Sequence, residues 1–299
     1  TPHTEDCHHP APDATVIFQE ACGNKIHTTL DCVWGFSGVD CDNETSLLLS
    51  IICHLGVFAQ MKMPFGPKQG PPIYQAVQDD IFGNERKPNG DKLAQIFVDD
   101  TYVGDQTFED HVRSVVQLLT QARKHGVQYR LTKSQFAFDT VVLLGFNIGK
   151  GGRTPDPAKV KQLREWPPYE SAADIVSHLY FGSYLREFLG PDFIEKTEPL
   201  HQYRKAGADF SKYKDDKAAQ EARIWLINQT MEHAVLVQPD WSAAAEPWVS
   251  GRPFILFIDA SCVAWCAALC QQDVPGGTPR IIAFSSRGFD KLAQNWSAF

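Results

Sequence analysis

Two adjacent carboxylates, Asp99 and Asp100, follow the strand-like run Leu93-Ala94-Gln95-Ile96-Phe97-Val98. On a tight turn their charges repel each other unless water or a cation neutralises them. Hard oxygen ligands on a rigid turn suit Mg²⁺, which keeps part of its water shell and recruits substrate phosphates. Plain solvation at an exposed turn is the alternative. Successive strand side chains point to opposite faces, so the tip itself must aim both groups at one site. A third carboxylate, Asp31, lies in Thr29-Leu30-Asp31-Cys32-Val33-Trp34-Gly35-Phe36, just after a strand-like stretch. Asp79-Asp80 serves as the contrast: it sits inside the helical stretch 73–82 and is expected to face solvent. Between these acids runs Met63-Pro64-Phe65-Gly66-Pro67-Lys68-Gln69-Gly70-Pro71-Pro72-Ile73-Tyr74-Gln75. A Gly/Pro-dense loop that feeds a helix permits close backbone approach to a ligand, although most such loops are structural. Cys7-His8-His9 has the residue types of a zinc site, with Cys22 as its only near partner.

The elements that must hold these residues are mixed. Residues 93–98 and 102–104 flank Asp99-Asp100-Thr101 and predict a hairpin with both carboxylates at its tip. Thr107 and Asp110 form a capping-box pattern. Phe108, Val112, Val115, Val116, Leu119 and Ala122 follow at helical spacing, and Gly126 closes that helix. Residues 128–131 and 140–148 predict strands, and 152–233 are mainly helical. One helix is expected to start at Thr154-Pro155, and another at Ser171 and Asp174 with Ile175, Leu179, Gly182 and Leu185 on one face. Residues 242–253 are small and contain Pro and Gly, as a linker does. Residues 254–258 are an apolar strand that ends in Asp259, and 262–270 and 280–284 continue the strand pattern.

The 299 residues are 43% hydrophobic and 21% charged, which excludes wholesale disorder and allows two or three domains. The longest apolar run, 47–53, is far short of the ~20 residues that span a bilayer. No basic-then-apolar leader is visible, and residue 1 is Thr rather than Met, so a fragment or processed piece is expected. The eight cysteines are expected to be free intracellular thiols. The formal net charge of −8 argues against a non-specific nucleic-acid binder. The acidic excess falls in residues 1–100, with 6 Lys and Arg against 14 Asp and Glu, and suits either a cation-gathering site or a solvated face.

The order of the segments resembles the reverse transcriptases of gypsy-type LTR retrotransposons. The resemblance rests on Leu30-Asp31 with Phe36, Met63-Pro64-Phe65-Gly66 with Tyr74-Gln75, and Phe97-Val98-Asp99-Asp100. It continues through Lys133-Ser134-Gln135-Phe136, Leu144-Gly145-Phe146, Pro155 to Val160, Phe188-Leu189, Glu198-Pro199-Leu200 and Ala234-Val235-Leu236. Asp259-Ala260-Ser261 then matches the first strand of the attached RNase H-like domain. The resemblance implies an α+β polymerase palm, a split βαβ-like antiparallel sheet with helices. Residues 1–150 would be the palm with partial fingers, 151–241 a thumb or connection-like region, 242–253 a linker and 254–299 a truncated RNase H-like domain.

It further implies RNA-directed DNA polymerisation with Mg²⁺ (or Mn²⁺), an RNA template, a DNA primer and dNTP. The location would be intracellular, in cytoplasm, nucleus or retroelement particles, with no membrane partner. Asp31, Asp99 and Asp100 would be the catalytic metal ligands, and the Cys32 carbonyl would help to hold the triphosphate-bound ion. Phe36 would lie against the sugar and exclude a 2′-hydroxyl, and Phe65 and Gly66 would lie near the incoming nucleotide. Lys133 would donate a proton to pyrophosphate, Phe97 and Val98 would sit near the primer end, and Leu144, Gly145 and Phe146 would grip the primer. Asp259 would be the first acidic residue of the RNase H-like part; alone it is not expected to support cleavage of an RNA–DNA hybrid.

The sequence departs from the family in two places. Pro67, Gly70 and Pro72 replace the usual Leu, Ala and small residue, and are expected to stiffen or misplace the template-side loop. The segment before Asp31 is short, so most of the fingers are expected to be missing. Two rival readings use the same residues. One is a decayed or domesticated copy that binds nucleic acid or partners without catalysis. The other is a metal-dependent phosphohydrolase built on Asp99-Asp100.

Overall fold

The computed structural model describes residues 7–289 except 11, 34, 150, 191, 206, 230–234 and 262–263. Trp34, Ala234 and Cys262, each part of a pattern noted above, lie outside the described residues. The chain divides into two compact units, Thr1–Leu144 with Ile148–Lys150, and Gly145–Asn147 with Gly151–Phe299.

The first unit begins with α1 (Ala14–Cys22) and β1 (Ile26–Asp31). A short helix, α2 (Asn43–Leu48), leads into a two-stranded hairpin of β2 (Ile51–Cys53) and β3 (Gly56–Phe58). Then come α3 (Gly70–Phe82), β4 (Gln95–Phe97), β5 (Asp100–Asp105), α4 (Phe108–Lys124) and β6 (Gln135–Phe138). The central sheet has the order β4-β5-β1-β6, and each pairing is antiparallel. Its core joins Leu30, Leu93, Ile96 and Val103 from the sheet side to Phe82 of α3 and Leu118 and Ala122 of α4.

Helix α4 starts as its capping pattern predicts: the Thr107 side chain accepts the Asp110 amide. Its orientation corrects the sequence reading. The apolar stripe Phe108, Val112, Val116 and Leu119 is exposed, from 37% to 57%. The buried face carries His111, Ser114, Leu118 and Ala122 instead. A buried carboxylate explains this. Asp105, 6% exposed, pairs with Lys87 Nζ at 2.9 Å and His111 Nδ1 at 2.9 Å, and accepts from Ser114 Oγ at 3.1 Å. The far nitrogen of His111 meets Thr28 Oγ1 at 2.7 Å, and Thr28 Oγ1 accepts the Ala137 amide at 3.0 Å. An α4 rotated to bury its apolar stripe would strand this charge, so polar satisfaction overrides hydrophobic patterning.

Other boundaries also shift. The predicted strand 140–148 is two strands, β7 (Thr140–Leu143) and β8 (Phe146–Gly149). Leu144 and Gly145 between them both have positive φ, 48° and 78°, the signature of a two-residue I′ hairpin turn. The stretch 128–131 makes only a single bridge, Cys32 to Tyr129. Strand β9 (Gly152–Pro155) absorbs Thr154-Pro155, and α5 (Pro157–Arg164) starts two residues later with Asp156 as its cap.

The second unit continues with α6 (Ala172–Tyr184), α7 (Arg186–Leu189), α8 (Phe193–His201) and α9 (Lys217–Ile227). The Ser171/Asp174 capping box is present, and Ile175, Leu179 and Leu185 are buried. Residues expected as a linker form α10 (Trp241–Ala245) and α11 (Pro247–Ser250). They are fastened by Arg252, whose guanidinium reaches Asp240 at 2.9 Å and the Gln272 carbonyl at 2.8 Å. An antiparallel sheet of β10 (Phe254–Ala260), β11 (Ala264–Gln272) and β12 (Pro279–Gly288) follows. No described helix is long and apolar enough to cross a membrane, and the described cysteines are all free.

Candidate active site

The sheet register brings the separated carboxylates together. Asp31, the last residue of β1, pairs directly with Asp100, the first of β5. Directly opposed residues of antiparallel strands present their side chains on one face. The turn between β4 and β5 is Val98-Asp99, so Asp100 opens a strand rather than sharing the tip as the sequence suggests. The Cys32 amide donates to the Asp99 carbonyl at 3.2 Å, which pins the turn to the end of β1. Asp31 and Asp100 line one open cavity of about 450 Å³ together with Lys133, Ser134 and Gln135.

Electrostatics mark this as a site of unneutralised negative charge. Burial, then the charge of Asp31, pushes the Asp99 carboxyl above its ordinary value. Burial, then Asp31 and Asp99, does the same to Asp100. No Lys or Arg among the described residues pairs with any of the three. Asp99 Oδ1 is buried without a hydrogen-bond partner. This donor set fits a hard divalent cation: carboxylate oxygens, adjacent, one of them orphaned. The side chains stand as neighbours without enclosing an ion, since no three His, Cys, Asp or Glu among the described residues are gathered tightly enough to hold a metal.

Packing explains the turn. Val98 has φ 53°, a left-handed conformation that a β-branched residue adopts only under constraint. It packs against the cluster of Phe36, Met63 and Tyr74. Gln75, only 1% exposed, accepts the Val98 amide on Oε1 at 2.8 Å and donates Nε2 to the Ile96 carbonyl at 3.3 Å. Gly35 lies against Asp99 Oδ1 and the Tyr74 ring so closely that no Cβ fits there. Gln75 and Gly35 carry no local signal in the sequence that marks them as positioning residues. Asp79, expected to be purely solvated, is tied to Gln75 at 3.1 Å, whereas Asp80 is exposed.

The other expected site residues divide. Phe36 is 8% exposed, with Phe65 over it at 5.1 Å and Tyr74 at 5.2 Å between ring centroids. Phe65 is 69% exposed, and Gly66 takes φ 110°. Pro71 and Pro72 fall in the first turn of α3, where a missing N–H breaks no helical hydrogen bond. Burial pushes the Cys32 thiol up to about 11. Phe97 and Val98 are half-buried and Lys133 is exposed. Phe146 is buried and stacks on Tyr184 and Phe188, at 5.0 and 5.5 Å. Asp259 is exposed near the end of β10, opposite Cys266. His9 pairs with Asp79 at 2.7 Å, and Cys7 donates its amide to Gln69.

Carboxylates paired across β1 and β5, with a third on a two-residue turn, define a polymerase palm. Residues 2–148 match the family described as reverse transcriptase (RNA-dependent DNA polymerase). Residues 250–299 match the RNase H-like domain found in reverse transcriptase. By these two matches the chain belongs to the reverse transcriptase family, and the relatives it resembles are retrotransposon polyproteins. It is 27% identical to the retrovirus-related Pol polyprotein from transposon opus of Drosophila melanogaster, over 97% of this chain and 28% of that polyprotein. To the Pol polyprotein from transposon gypsy of the same fly it is 26% identical, over 97% of this chain and 27% of the relative. The chain thus spans under a third of the length of these relatives. The foamy viral protease-reverse transcriptase, solved in complex with RNA/DNA hybrid, shares the fold. Its TM-score is 0.75 at 18% identity, covering 97% of this chain and 37% of that one.

Proposed function

We propose that the first unit catalyses RNA-directed DNA polymerisation, transferring a nucleotidyl group from dNTP to the 3′-hydroxyl of a DNA primer on an RNA template. The observation that carries this reading is the direct Asp31–Asp100 pairing beside Asp99, with Asp99 and Asp100 raised and without a cationic partner. Asp31, Asp99 and Asp100 would hold Mg²⁺ or Mn²⁺, which when bound lowers the pKa of the primer hydroxyl and neutralises the triphosphate. Phe36 and Phe65 would stand beside the sugar of the incoming nucleotide, and Phe97 and Val98 beside the primer end. Lys133, in the cavity with Asp31 and Asp100, supplies a proton to pyrophosphate.

The test is extension of a labelled DNA primer on an RNA template by the 299-residue chain with Mg²⁺ or Mn²⁺. Extension that vanishes in Asp31→Asn and Asp99→Asn supports the reading. Binding of primer–template without extension would favour a non-catalytic copy. Phosphate release from a small ester without template would favour a phosphohydrolase.

A further inference from the structure

Asp79 lies outside the carboxylate site but connects to its turn. Gln75 uses its whole amide: Oε1 accepts from Val98, and Nε2 donates to the Ile96 carbonyl and to Asp79 Oδ1. A flipped amide would place its NH₂ against the Val98 N–H and leave the turn without its acceptor. A carboxylate and a backbone carbonyl only accept, so Asp79 at 3.1 Å and the Ile96 carbonyl at 3.3 Å both demand the NH₂ on their side, and Asp79 adds its charge to the bias that keeps the carbonyl on the side of Val98. The other oxygen of Asp79 is taken by His9 Nε2 at 2.7 Å. Three side chains thus join the segment before α1 to the left-handed residue that precedes Asp99.

We propose that Asp79 is a positioning residue for the polymerase turn, acting through the orientation of Gln75. The proposal rests on the polymerase reading above, and its test includes measurements that do not need catalysis. Hydrogen exchange of the Val98 amide is measured without metal in wild type, Asp79→Leu, Asp79→Asn and Asp80→Leu. Loss of one orienting hydrogen bond predicts about five-fold faster exchange at Val98 in Asp79→Leu. Asp79→Asn keeps an acceptor oxygen and stays near wild type, and Asp80→Leu does not change. Mn²⁺ affinity, read by paramagnetic resonance, falls in Asp79→Leu by a similar factor. In primer extension kcat falls while KM for primer–template holds. Unchanged Val98 exchange and Mn²⁺ affinity in Asp79→Leu overturn the proposal. So does faster exchange across α3 and the whole sheet, which would make Asp79 a general stabiliser. A wild-type chain that extends no primer sinks the polymerase reading, while the exchange result still decides the role of Asp79.

Discussion

Replacing Gly35 by alanine tests the packing that aims Asp99. Gly35 has φ −47° and ψ −53°, right-handed values that any residue adopts, so the change carries no backbone penalty. Its effect is steric. A Cβ would lie 2.6 Å from the Tyr74 hydroxyl and 2.7 Å from both Asp99 Oδ1 and Tyr74 Cζ. Ordinary heavy-atom contact begins near ~3.5 Å, so an overlap approaching ~1 Å must be relieved. Tyr74 is 3% exposed, its ring lies against Phe36 and its hydroxyl accepts from Gln78, so it has little room to give. The Asp99 carboxylate is the free end, and it moves. Overpacking of this kind costs about 1–3 kcal/mol, roughly a five- to 150-fold change in the folding equilibrium. Urea denaturation of Gly35→Ala should show the loss, and Mn²⁺ titration should show weaker binding beyond it. A variant with an unchanged urea midpoint and unchanged Mn²⁺ affinity would refute the claim that Gly35 makes room for Asp99.

Gly70→Ala, which restores the residue usual in the family, should do the opposite. Its Cβ would meet Phe36 at an ordinary 3.4 Å, and the urea midpoint should rise by an amount worth about 0.4–1 kcal/mol. Lys87→Met removes one partner of the buried Asp105 and should cost about 3–5 kcal/mol by denaturation. Asp105 is held low: hydrogen bonds from His111 and Lys87 outweigh burial, which alone would raise it. Its contribution is therefore full above the ordinary carboxylate range and lost as pH falls through its folded value. Asp99 and Asp100 are raised, so their ionisation costs stability as pH rises through their folded values. Asp100→Asn should accordingly be more stable than wild type at pH 7 without divalent ions, and the gap should close on acidification. Added Mn²⁺ should narrow or reverse the gap, because wild type, with all three carboxylates, gains more binding energy.

The sequence carried the placement of the carboxylates better than the packing around them. The meeting of Asp31 with Asp100 was legible because motif order fixes which strands must meet, and the β1–β5 register brings these two together. The capping boxes at Thr107 and Ser171 were legible because they are local. The face of α4 was not, since periodicity counts apolar residues and cannot see that Asp105 needs His111 and Ser114. The roles of Gln75 and Gly35 were hidden for a similar reason. Each depends on a partner about 20 or more residues away, Val98 for one and Asp99 for the other. The two short helices in 242–253 escaped notice because small residues with Pro and Gly also describe a loop.

The buried group under α4 has an evolutionary consequence. Lys87, His111 and Ser114 meet around one buried carboxylate, that of Asp105. A lineage that replaces Asp105 alone leaves a lysine and a histidine facing an empty acceptor. One that replaces Lys87 alone leaves a charge in the interior. Drift at these positions must therefore pass through a poorly folding intermediate or proceed by paired replacements. Diverging copies of the element should keep the group whole or exchange it as a set, while the exposed apolar stripe on the same helix changes one residue at a time.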